Sequence, residues 1–181
     1  MAFIGAKPTN VPLTASDITD GSISVAKLTS ALDLSSNTVT LPSGVGGKVL
    51  QVQHQEITTT VETSSSSFTD TGFTLAITPS ATSSKILCVV NLQSLGKASS
   101  TLSALSVRIV RTSTDIGRTT NMMYTLAGST YQTASIVKLD SPSTTSATTY
   151  KVTFKNRESN AVHFNAYNGD TSTFTLYEIG A

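Results

Sequence analysis

A chain of 181 residues is long enough for one domain of ordinary size, or one domain plus an extension, and it can bury about two thirds of its unfolded surface without disulfides or metals. Its 58 Ser and Thr residues make up close to a third of the sequence, whereas only 13% of side chains are charged, the net charge is +1 and Trp is absent. This low charge excludes a disordered polyelectrolyte. The lack of a Lys and Arg excess excludes nucleic acid as a partner. The longest apolar run, Ile86 to Val90, is too short for membrane insertion. The N-terminus has no charged region followed by an apolar stretch, so no secretory signal is expected. A single cysteine, Cys88, rules out an internal disulfide framework.

In chain order, residues 1–47 differ from the rest. Pro8 and Pro12 each push the preceding residue toward extended geometry, which predicts an extended arm. Val25, Leu28 and Leu32 fall at helical spacing behind Ser24, predicting a short helix over 24–33 that needs a partner surface. Asn37 to Leu41 reads as a brief strand, and Pro42-Ser43-Gly44-Val45-Gly46-Gly47 as a linker.

From Lys48 onward, strand follows strand. Phe73, Leu75 and Ile77 alternate with small or polar residues. So do Tyr150, Val152 and Phe154, then Val162, Phe164 and Ala166, then Phe174 and Leu176. Val107–Val110 and Ser135–Leu139 add two more strands. Lys85–Leu92 is apolar on both faces and predicts either a central strand or one buried at a subunit interface. Turn clusters lie between them, and Asn168-Gly169 between 162–167 and 173–177 predicts a type I′ hairpin. Eight to ten short strands at this spacing predict an antiparallel β-sandwich or jelly roll over residues 48–181. Hydroxyl-rich strands have little charge with which to protect their edges, and oligomerisation is one remedy.

The search for chemistry yields little. Gly44-Val45-Gly46-Gly47-Lys48 lacks both the first glycine and the final hydroxyl residue of a phosphate loop. No Gly-x-Ser-x-Gly elbow occurs. His54 and His163 have no Cys or His at metal-ligand spacing and read as surface or interface histidines. Asp70, Asp140 and Asp170 fall where turns are expected. Arg108, Arg111 and Arg118 read as a solvated face, and Cys88 as a small buried hydrophobe. No catalytic residue, metal site or cofactor is expected, and the chain is not expected to be an enzyme.

Several segments carry a resemblance: Gly47–Val52, Thr69-Asp70-Thr71-Gly72-Phe73 through Pro79, Ser83–Leu87, Asp140-Ser141-Pro142 through Val152, and Ser172–Ile179. Together with Asp20-Gly21-Ser22-Ile23 and Ala26-Lys27-Leu28 near the start, they resemble the fibre-like virion proteins of tailed bacteriophages, including marine and cyanobacterial phages. In that family the Asp-Gly-Ser-Ile…Ala-Lys-Leu unit is often repeated in tandem; here it occurs once, which fits a short appendage better than a long stalk. The resemblance implies a homotrimer with jelly-roll heads like those of tumour necrosis factor and the complement globular head. It implies a virion-surface location, with Phe3, Ile4, Pro8, Val11 and Pro12 in the arm that anchors the trimer to other virion proteins. Read as a fibre, the chain is expected to meet a host surface glycan or protein through loops at the head's distal end, Ser113 to Tyr131 with Met122, Met123, Tyr124 and Tyr131; trimer interface or loop packing is the competing reading of those four. Capsid decoration is the alternative role, and a polysaccharide depolymerase a distant third.

Overall fold

The computed structural model describes residues 48–97, 100–126 and 128–180. The expected helix over 24–33, the strand over 37–41 and the anchoring residues Phe3, Ile4, Pro8, Val11 and Pro12 lie outside them. Ten strands occur among the described residues: β1 Val49–Ile57, β2 Val61–Thr63, β3 Thr69–Ile77, β4 Lys85–Lys97, β5 Ser103–Arg111, β6 Thr114–Thr125, β7 Thr130–Asp140, β8 Thr148–Asn156, β9 Val162–Phe164 and β10 Ser172–Ile179.

They form two antiparallel sheets. One runs β1-β10-β4-β7, and the short β9 and β2 continue it past the end of β10. The other runs β3-β8-β5-β6. Neighbours are mostly distant in sequence, which is the jelly-roll connectivity. The period-2 pattern decides which side chains meet between the sheets. In β8, Tyr150, Val152 and Phe154 are buried while Lys151, Thr153 and Lys155 face out. From the opposing sheet come Ile86, Cys88, Val90 and Leu92 of β4, Phe174 and Leu176 of β10, and Ile136 of β7. Phe164 lies at the centre of the aromatic core, stacked on Phe73 at 6.0 Å and meeting Phe154 edge-on at 5.8 Å.

Three expectations are corrected. Ser113–Tyr131 is no loop: after the Thr112-Ser113 turn the chain runs the length of the sandwich as β6 and turns into β7. The strand expected over 162–167 stops at Phe164, because Asn165 takes a φ of 54°. Its amide donates to the carbonyls of Ile57 and Thr59, while its oxygen accepts from Ser172 Oγ at 2.6 Å. Asparagine tolerates this left-handed geometry. The Asn168-Gly169 turn is therefore no type I′ hairpin. Only Gly169 has a positive φ, and β9 and β10 pair with β4 at successive positions instead of with each other.

The solvated-face reading fits exposed Arg118 but changes for Arg108 and Arg111, and the turn reading of Asp140 changes with it. Arg108 lies over the Phe68 ring at 4.1 Å and donates to Thr153. Arg111 donates to Asp140 at 2.8 Å, and Asp140 is a buried strand end, not an exposed turn residue.

Glu178 fastens the end of the sandwich nearest Lys48. Its carboxylate accepts from the backbone N–H and the hydroxyl of Ser80, each at 2.6 Å, and from Gln51 at 2.7 Å. Burial acts to raise its pKa, but the donors from Ser80 and Gln51 oppose it and hold the carboxyl at about 2.

Two predictions follow from this packing. Phe164→Ala should lower unfolding stability by about 3–5 kcal/mol, read as a fall in the urea midpoint. Because the Glu178 pKa is depressed on folding, its contribution is present above the ordinary carboxyl range. The stability gap between the native chain and Glu178→Gln should thus stay constant from pH 7 to about 5 and close as pH falls toward about 2.

Candidate interaction surface

The closest group of reactive side chains is structural. Tyr150 donates its hydroxyl to Asp140 Oδ2 at 2.7 Å, and Arg111 donates to the same oxygen at 2.8 Å. Burial and then the nearby Asp140 push the Cys88 thiol up to about 12. Burial and Asp140 likewise drive the Tyr150 phenol far above its ordinary value. Both groups are held protonated near neutral pH, so neither is poised as a nucleophile. Among the described residues, no three His, Cys, Asp or Glu side chains gather to hold a metal ion.

The four residues assigned to a receptor-facing loop diverge. Met123 is 3% exposed and belongs to the core, and Met122 packs against that core half-buried. Tyr124 is exposed, with the Arg157 guanidinium 5.7 Å from its ring. Tyr131, by contrast, is the second residue of β7, on the outer face of the other sheet.

The two outer faces contrast sharply in charge. On β3-β8-β5-β6, Lys151 pairs with Asp70 at 3.3 Å, and Arg108 and Arg118 flank Asp115 at 3.8 and 3.7 Å. On β1-β10-β4-β7, the register sets two lines of side chains directly across the four strands. One is Val52–Tyr177–Leu87–Leu139, and the next is His54–Thr175–Val89–Val137. Neither contains Lys, Arg, Asp or Glu. Val52 is 49% exposed, Val137 61% and Leu139 49%. A solvated antiparallel face ordinarily carries polar side chains at these positions; in the second line only His54 and Thr175 do so, paired at 2.8 Å with Glu56 3.3 Å from the imidazole. The following line, Glu56–Thr173–Asn91–Ser135, is polar, with Ser135 donating to Asn91 at 2.7 Å.

The same face changes character at its far end. Beyond the irregularity between Leu92 and Leu95, the register aligns Tyr131, Gly96, His163 and Glu62 across β7, β4, β9 and β2. Tyr131 lies 5.5 Å from the His163 ring and 5.1 Å from the Tyr167 ring, centroid to centroid. His163 Nδ1 is buried without a hydrogen-bond partner, and the Glu62 carboxylate stands 3.9 Å away. Burial lowers the His163 pKa, against an opposing pull from Glu62. The apolar lines lie at the end where the described chain begins. Leu87 and Gly96 are nine positions apart along β4, roughly 30 Å of strand.

The apolar lines had a sequence signal in Lys85–Leu92, whose two apolar faces cannot both point inward. The aromatic end had none, because its members come from four separate segments of the chain.

No protein-family model matches this chain, and neither does any curated protein. Among solved structures it is similar to a chain described as "Structure of infectious bursal disease virus Gx strain", at 14% identity and a TM-score of 0.35. The match covers 80% of this chain and 42% of that one, so the present chain spans less than half of that neighbour's length. So loose a superposition assigns no role.

Proposed function

We propose that this chain is a virion structural protein. It is a short homotrimeric fibre, held to the particle through residues 1–47 and presenting its jelly-roll heads for attachment to a host surface. Its work is assembly and recognition, with no catalytic step and no cofactor. The motif resemblance supports the virion assignment. The observation that carries the oligomer is the apolar end of the outer face of β1-β10-β4-β7, with exposed Val52, Val137 and Leu139 around half-buried Leu87 and Val89. A contiguous apolar patch of this kind marks an interaction surface. The opposite face is provided with ion pairs and needs no cover. Sister subunits packed on the apolar lines bury them near the end where residue 48 leaves the head, so the aromatic end is left outward. Several weak contacts on one particle then add up through avidity.

Light scattering tests the assembly. The purified chain should have three times the protomer mass, and Val137→Lys/Leu139→Lys should run as a folded monomer with an unchanged far-ultraviolet β signature. A native chain that is itself a stable monomer defeats the proposal. Deleting residues 1–40 should leave a folded trimeric head that no longer enters particles. Immunogold labelling of intact virions then decides the location: label on the tail supports the fibre, and label over the whole capsid favours decoration.

A further inference from the structure

We infer that the aromatic end of the outer face, built on Tyr131, Tyr167, His163 and Glu62, is a binding site for a neutral saccharide. This deepens the host-attachment role proposed above and rests on it.

The site is shaped by a missing side chain. Gly96 lies between Tyr131 and His163 in the register, and a Cβ there would come within 2.0 Å of the Thr130 carbonyl oxygen and 2.7 Å of Tyr131 Cδ1. The bare position lets the Tyr131 ring lie across the strand against His163. Tyr167 then meets Tyr131 edge-on, with 63° between the ring planes, and remains 56% exposed. That residue contributes no side chain to the core, yet its backbone is pinned. Its N–H donates to Asp170 Oδ2 at 2.9 Å, and Asp170 N–H donates back to its carbonyl at 3.1 Å. A large ring is thus held in solvent by a closed turn.

The polar groups narrow the ligand. Glu62 is the cross-strand partner of His163, its side chain is 62% exposed, and it stands beyond hydrogen-bond distance of the unpartnered Nδ1. The cluster therefore combines an aromatic surface with a carboxylate acceptor, and it contains no Lys or Arg to recruit an anion. A quaternary ammonium needs rings facing a common point, whereas Tyr131 and Tyr167 touch each other and present an open surface. A pyranose fits both features, with axial C–H groups on the tyrosine rings and a hydroxyl donating to Glu62. The position suits a surface contact, roughly 30 Å of strand from the end where residue 48 enters.

Saturation-transfer difference NMR on the full chain tests this, using the methyl glycosides of galactose, glucose, mannose and N-acetylglucosamine as separate probes and choline chloride as the cationic control. At least one glycoside should show transfer to its ring C–H protons. Tyr167→Ala should weaken that binding by about tenfold or more, and Glu62→Gln should weaken it severalfold. Tyr124→Ala, on the other sheet, should leave it unchanged. Absence of transfer to every glycoside, response to choline alone, or equal binding by Tyr167→Ala each overturns the site. Light scattering on the same samples keeps the two ideas apart. A trimer that binds no glycoside removes the saccharide site and leaves the structural role, whereas a monomer that binds one does the reverse.

Discussion

Strand β4 is the constraint on which the rest of the structure depends. It is hydrogen-bonded to β10 and β9 on one side and to β7 on the other, so neither of its edges is free. Ile86, Cys88, Val90 and Leu92 point into the sandwich and meet the aromatic side chains of the facing sheet. The pleat then obliges Leu87 and Val89 to point the other way. No register satisfies both sets, because a one-residue slip exchanges the two faces and puts Lys85 and Asn91 into the core. An apolar outer surface follows directly from an apolar inner one on the same strand.

The neighbouring strands reinforce that surface where they could have relieved it. Across from Leu87 and Val89 stand Leu139 and Val137 of β7, and beyond β10 stands Val52 of β1. The lysine of β7, Lys138, is in register with inward-facing Cys88 and lies against Gly117 of β6, so it brings no charge to these lines. Three ion pairs gather on the outer face of β3-β8-β5-β6, while Glu56, Glu62 and Lys85 of this sheet lie outside the two lines. This partition gives the low overall charge a physical meaning. One face is solvated through compensated ion pairs, and the other has the character of a surface waiting for cover.

The outer face of the β4 sheet also changes along its length. The apolar end, the hydroxyl and amide middle, and the aromatic end follow one another along the same strands. The irregularity at Leu92–Leu95, where Ser94 takes a φ of 43°, separates the last from the others. The apolar lines and the aromatic cluster thereby occupy opposite ends of one surface.

The sequence by itself determined that residues 48–181 are built of antiparallel strands, the inward residues of β8 and β10, the buried state of Cys88 and the double apolar character of Lys85–Leu92. All of these rest on local alternation, a property of consecutive side chains on one pleated strand. The tertiary structure decided what alternation cannot express. It turned 114–125 into a strand, because Met123 reaches the core while the Thr, Arg and Asn around it, which read as loop, occupy the solvent side. It ended β9 at Asn165, whose side chain serves carbonyls more than a hundred residues away. It also gathered Tyr131, Gly96, His163 and Glu62 into one line from four strands. Such a grouping is set by long-range register, and register is fixed only when the whole core closes at once.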